Sequence, residues 1–165
     1  KHGVLKTFRP IYEENFNFAY DVVDEIARLE PNRRAMVWCN DQGEEKIFNF
    51  EDMRRYSNKA ANLFVKYGIK KGDMVMLVLK RHYEFWWLIL GMHKLGVVGI
   101  PATHLLMTKD IVYRANAADI KMVIATSDND HILDCIDEAQ AKCCCTLLLV
   151  HRVCQKWLSI TLRTH

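Results

Sequence analysis

This 165-residue chain carries seven histidines, six cysteines and twenty carboxylates, and their spacing decides how few can act together. His82, His93 and His104 stand eleven apart, three helical turns, as a ladder of metal ligands would. Gly99 and Pro101 interrupt any helix before His104, so the three cannot share a face. Asp128, Asp130 and His131 are types suited to acid–base work. They also stand where a helix start favours acids and caps, and capping accounts for them without catalysis. Cys143, Cys144, Cys145 and Cys154 lack the paired C-x-x-C spacing and following histidines of a zinc site, so no metal site is expected. Glu84 with Trp86 and Trp87 has the make-up of a substrate platform, but large aromatics on a helix between two layers serve packing equally well. No residue is assigned a catalytic role.

Phosphate-binding loops need glycines in a fixed pattern ahead of a helix. Gly91, Gly96 and Gly99 do not form G-x-G-x-x-G, and G-K-[ST] is absent from the chain. The connection Pro101-Ala102-Thr103-His104-Leu105-Leu106 is different, because it follows a strand, and in open α/β sheets ligands gather beyond the carboxyl ends of strands. Thr103, His104 and Leu105 are therefore the candidate ligand-facing residues. A plain strand-to-helix connector is the competing reading.

The elements that position this loop follow from periodicity. Residues 1–18 mix Lys, Pro, Asn and aromatics without period and read as an irregular arm. Val22, Ile26 and Leu29 predict a short helix over 19–30, stopped by Pro31. Residues 35–39 and 45–48 flank Asn40-Asp41-Gln42-Gly43 as a hairpin, expected to be the only antiparallel piece. Asn49 and Asp52 form a capping box for a helix burying Met53, Tyr56, Ala60, Leu63, Phe64 and Tyr67, which Gly68 ends. Met74 to Leu79 is an apolar run suited to a strand covered on both faces. A helix over 83–95 follows, in which Gly91 and Gly96 imply close packing on the sheet. A strand over 97–100 ends at Pro101, Thr108 caps the next helix, Met122 to Ala125 is a strand, and 130–141 is a last helix. This alternation is what a parallel sheet with crossover helices demands. The fold class is α/β, a mostly parallel sheet with flanking helices and one N-terminal hairpin.

Half the residues are hydrophobic and 26% are charged, a globular composition of one domain. Residues 1–141 hold 19 Lys and Arg against 20 acids, a net −1, and the last 24 residues hold +4. A near-neutral body gives no reason to expect a phosphate-backbone binder, so no nucleic-acid partner is expected, and only the basic tail speaks for one. No apolar stretch reaches the ~20 residues of a membrane span. Adjacent cysteines and the lack of a signal peptide point to free thiols in a reducing cytosol. After Lys142 the acids vanish and the period breaks. The tail, 143–165, fits either an out-of-frame translation or a divergent strand with an amphipathic end.

The run from Phe48 to Ile124 carries more than a class. FNFEDMRRYSNKAANLFVKYGIKKGDMVMLVLKRHYEFWWLILGMHKLGVVGIPATHLLMTKDIVYRANAADIKMVI resembles the N-terminal subdomain of the AMP-forming acyl-CoA synthetases. Glu84-Phe85-Trp86-Trp87 and Pro101-Ala102-Thr103 bring it nearest the medium-chain and acetyl-CoA synthetase-like branch. The resemblance covers roughly Phe48 to Lys142. It implies a ligase of fatty acid metabolism that uses ATP, Mg2+ and CoA to activate a short- or medium-chain acid, with the 103–105 loop near the CoA channel. Thr126-Ser127-Asp128 resembles the start of that family's T-S-G phosphate motif, but the rest of the motif is missing. The phosphate loop, the ribose-binding Asp, the aromatic-Gly-x-Thr-Glu motif and the catalytic Lys would all lie beyond this chain. The fragment alone is then expected to be inactive and to bind none of these cofactors tightly. A freestanding non-enzymatic α/β module, binding through an uncovered sheet edge, is the rival.

Overall fold

The computed structural model describes residues 11–126, 130–143, 148–151 and 161–162, the last two stretches by their backbone. Ser127, Asp128, Cys144, Cys145 and Cys154 lie outside them. The chain enters through a π-helical turn, Phe18–Asp24, whose first turn is capped by the Asn17 side chain accepting from the Ala19 N–H. It continues as α1 (Glu25–Leu29). The buried positions are Ala19, Val23 and Ala27, whereas Leu29 is exposed. The expected Val22, Ile26, Leu29 stripe is thus displaced by one residue. The π-helical start widens the turn and rotates the segment about its axis.

Strands β1 (Arg34–Cys39) and β2 (Glu45–Asn49) form the expected hairpin. Asn40 builds its loop, its Oδ1 accepting from the N–H groups of Gln42 and Glu44, and Gly43 supplies the positive φ of +77°. Helix α2 (Phe50–Lys66) opens with the expected capping box: Asn49 Oδ1 accepts from the Asp52 N–H, and Asp52 Oδ2 from the Asn49 N–H. It buries Met53, Ser57, Ala60 and Phe64.

The main sheet runs β4-β3-β5-β6-β7, built from β3 (Met74–Val78), β4 (Val98–Pro101), β5 (Ile120–Ala125), β6 (Leu148–His151) and β7 (Thr161–Leu162). The first four of these strands are mutually parallel where they pair, and β7 is antiparallel to β6. The hairpin is therefore not the only antiparallel pairing. Helices α3 (Glu84–Leu95), α4 (Thr108–Ala118) and α5 (Asp130–Gln140) complete the layers.

Alternation along β3 divides the core in two. Val75 and Leu77 join Phe64, Trp87, Leu88 and Met92 under α2 and α3. Met76 and Val78 join Ile111, Ala115, Ile132 and Ile136 under α4 and α5. Each large side chain so buried contributes about 1.5–3 kcal/mol of transfer free energy.

Gly91 packs against α2 rather than the sheet, since a Cβ there would stand 2.8 Å from Ala60 Cβ. Gly96 has φ +67° and caps α3 in the left-handed conformation. Helix α4 is capped by Met107, not Thr108: the Asp110 carboxylate accepts from the Met107 N–H, while the Thr108 hydroxyl donates to Glu138 on α5. Helix α5 buries Ile132, Cys135, Ile136 and Ala139.

Candidate functional site

β3 is the strand at which the connections part. Its own loop leads to α3 on one face of the sheet, while the loops after its neighbours β4 and β5 lead to α4 and α5 on the other. Such divergence opens a crevice beyond the carboxyl ends of the strands. Three connections meet this edge: 79–83 after β3, 102–107 after β4, and Thr126 after β5, itself buried.

The 102–107 loop is held at both ends, by the Ala102 N–H donating to Leu77 O at 2.8 Å and by the Asp110 carboxylate at Met107. Between them the Leu105 N–H donates to Thr103 Oγ1 at 3.3 Å, Leu105 is 70% exposed, and His104 is half-buried. Leu106 turns inward as the anchor. The fixed ends and open tip suit a ligand-facing loop.

His82 and His104 both lie at this carboxyl edge, whereas His93 sits near the far end of α3, where its carbonyl accepts from Asn17. The three histidines do not converge. Among the described residues no group of three or more His, Cys, Asp or Glu is placed to hold a metal ion. Asp130 and His131 open α5, and His131 Nε2 lies 3.8 Å from Cys135 Sγ one turn on. Cys39 and Cys135 are free thiols.

A second feature at the same edge went unread in the sequence. The hairpin folds over the start of α3 and encloses a cleft of about 490 Å³ lined by Trp38, Lys46, Lys80, Arg81, His82 and Glu84, among others. Trp38 Nε1 donates to Arg81 O at 2.7 Å, fixing a residue whose φ is +52°. Non-glycine residues in that region are uncommon and worth notice. Lys46 Nζ donates to Tyr83 Oη at 2.9 Å and lies over the Tyr83 ring.

Glu84, grouped in the sequence with Trp86 and Trp87, separates from both. Trp87 is core, stacked on Tyr56, and Trp86 is 54% exposed. Glu84 is only 2% exposed and its Oε2 has no hydrogen-bond partner. Burial pushes its carboxyl above the usual range, opposed by its own backbone N–H and by His82, whose Nδ1 is 3.8 Å away. One signal was available: a lone acid directly after Lys80-Arg81-His82-Tyr83 and directly before an apolar helix face.

With this geometry in view, comparison with known proteins decides the family. A model of the family described as AMP-binding enzyme matches residues 23–161. The chain belongs to that family. It is 39% identical over 141 residues to acyl-coenzyme A synthetase ACSM5, mitochondrial, of Rattus norvegicus, covering 82% of this chain and 24% of that protein. It is 32% identical over 153 residues to ACSM2A, mitochondrial, of Homo sapiens, covering 87% and 26%. The chain thus spans about a quarter of the length of these relatives. Among solved structures, a Mycobacterium tuberculosis fatty acyl CoA synthetase superposes with TM-score 0.71 at 25% identity, covering 82% of this chain and 26% of that one. The inhibitor-bound N-terminal domain of FACL13 from the same organism gives 0.70 at 25%, covering 82% and 33%.

One expectation is overturned by these relatives. The cytosolic location read from the cysteines does not stand, because the curated relatives are named as mitochondrial enzymes. Mitochondrial matrix proteins also carry reduced thiols, so cysteine usage does not discriminate the two compartments.

Proposed function

We propose that this chain is the N-terminal portion of a mitochondrial AMP-forming acyl-CoA synthetase acting on a short- or medium-chain carboxylic acid. In that reaction a carboxylate oxygen attacks the α-phosphorus of ATP, the bond to pyrophosphate breaks, and an acyl-adenylate forms. The thiol of CoA then attacks the acyl carbon and AMP leaves. The observation that carries the reading is the family match over 23–161 together with 39% identity to a synthetase across one quarter of its length.

The described residues do not fit ATP and Mg2+. Among the described residues no glycine-rich turn precedes a helix at the carboxyl edge, and α3 begins with a carboxylate, which opposes a phosphate when ionised. Stabilising the charge of adenylyl transfer therefore falls to other parts of a complete enzyme. The role that suits this portion is structural support of the carboxyl edge, with Thr103, His104 and Leu105 bordering the CoA channel.

The test is acid-dependent exchange between ATP and labelled pyrophosphate. The 165-residue chain alone is expected to show none, and the chain joined to the remaining three quarters of a relative is expected to show it. Robust exchange from the chain alone, above a boiled control, overturns the reading of an inactive portion. Absence of exchange from a folded fusion overturns the family activity.

A further inference from the structure

We propose that the β1–β2 hairpin is a strap that holds the β3–α3 loop, residues 79–83, in a strained conformation, and that the loop relaxes when the strap is released. The strain is at Arg81, whose φ of +52° lies in the left-handed region. Residues other than glycine occupy that region at a cost of about 5- to 30-fold in population, and they persist there only where the surroundings impose it. The contact on Arg81 comes from Trp38, forty-three residues earlier, whose indole Nε1 donates to Arg81 O at 2.7 Å. Trp38 stands directly opposite Lys46 across the hairpin. Lys46 Nζ in turn donates to Tyr83 Oη at 2.9 Å, and the Trp38 ring meets the Tyr83 ring edge-on at 5.2 Å. One cross-strand pair thus grips residues 81 and 83 together.

The hairpin can act as a strap because it is hinged at one end. Among the described residues it forms its own two-stranded sheet, unpaired with the main one, and such a hairpin is marginally stable by itself. Its base is tied to the start of α2, where the Phe50 and Glu51 N–H groups donate to Arg33 O and Pro31 O at 3.0 and 3.2 Å. Met36 and Phe48, opposite each other, pack against the core next along. Only then come Trp38 and Lys46, so release needs movement of the outer half alone. The balance there is close. A net hydrogen bond contributes about 2- to 13-fold, at the low end for Trp38, since a half-buried indole and the carbonyl of an exposed residue both find water once apart. That does not offset the strain at Arg81, so the latched loop rests also on the ring contact and on Lys46. The position of the hairpin is thereby coupled to the carboxyl edge, where residues 79–83 meet the connections after β4 and β5. The device belongs to the fold, and an inactive fusion with the rest of a synthetase leaves it standing.

Amide hydrogen exchange on the 165-residue chain tests this. The reporters are the Phe85 and Trp86 N–H groups, bonded to His82 O and Tyr83 O at 3.3 and 3.2 Å where the loop enters α3. Trp38→Phe keeps an aromatic ring and removes the indole N–H, so exchange at the reporters should quicken by about 2- to 13-fold, the worth of one hydrogen bond. Arg81→Gly removes the strain, so exchange should slow by about 5- to 30-fold, against the ordinary expectation that glycine loosens a loop. Added to Trp38→Phe, it should restore exchange at least as slow as in wild type. Arg81→Val loses the same charge as Arg81→Gly but suits the left-handed region worst, so it should quicken exchange and separate backbone from charge. The change at the reporters should exceed any change in α5, which distinguishes loop release from global unfolding. Exchange no slower in Arg81→Gly than in wild type overturns the proposal, as does unchanged exchange in Trp38→Phe or an Arg81→Val protein that matches Arg81→Gly. Arg81 is exposed, so its variants spare the fold and keep the test decisive even if Trp38→Phe does not fold.

Discussion

Replacing Gly91 by alanine tests the seam on which α2 and α3 meet. Alanine raises helix propensity by about 1 kcal/mol relative to glycine, so propensity alone expects a more stable protein. The structure places the new methyl 2.8 Å from Ala60 Cβ, 3.0 Å from the Ala61 nitrogen and 3.0 Å from the Ser57 carbonyl oxygen. Two of these neighbours are backbone and the third is a methyl with no rotamer to adopt. The helices must part, at the overpacking cost of about 1–3 kcal/mol in a well-packed core. With Phe64 and Trp87 buried beside the seam, the upper part of that range applies, and the net loss is about 1–2 kcal/mol. For a chain of this size that lowers Tm by about 2–8 °C. Urea and thermal melts followed by circular dichroism measure it, with the urea slope unchanged. Adding Ala60→Gly removes the nearest contact, so the double variant should lose less than the sum of the two single losses. A Gly91→Ala protein more stable than wild type would refute the packing argument.

Three further outcomes are open to direct measurement. Lys94 Nζ, 1% exposed, donates to both Asp24 oxygens at 2.8 Å and to Asn58 at 2.7 Å; Lys94→Met should cost about 2–3 kcal/mol, less than a fully buried pair because water reaches Asp24, and adding Asp24→Asn should recover part of it in a thermal melt. The Glu84 carboxyl is raised above 4.5 in the folded state, so its contribution is fully present below pH 4.5 and is lost as pH rises through the raised value; the stability of Glu84→Gln minus wild type should grow across that window and then level off. In a complete enzyme, Leu105→Asp should raise the CoA concentration needed for thioester formation and spare pyrophosphate exchange; equal loss in both leaves the loop a connector.

Much of the fold could be read because local and global signals agree. Asn49 and Asp52 announce α2, Gly43 and Asn40 announce the hairpin loop, and the apolar run at Met74 announces a strand covered on both faces. The failures have local causes. The stripe at Val22 assumed an α-helical period that the π-helical turn does not keep, and Thr108 has the right chemistry for a cap but is drawn to Glu138 across the α4–α5 contact. The cleft was illegible because it depends on the hairpin folding back over a loop some forty residues later, a proximity that no spacing encodes. The loop at 103–105 was legible in position because parallel strands all deliver their loops to one edge.

The sheet also acts as a partition. Val75 and Leu77 report to one compartment and Met76 and Val78 to the other, with the same five-residue strand as the dividing wall. Volume changes beneath α4 and α5 are absorbed on their own side, away from the hairpin, the α2–α3 seam and Glu84. Substitutions in the two compartments should therefore add in free energy, while substitutions within one should couple. A lineage carrying this fold can then rework the packing under the 102–107 loop without disturbing the cleft, and the two regions are free to diverge at different rates.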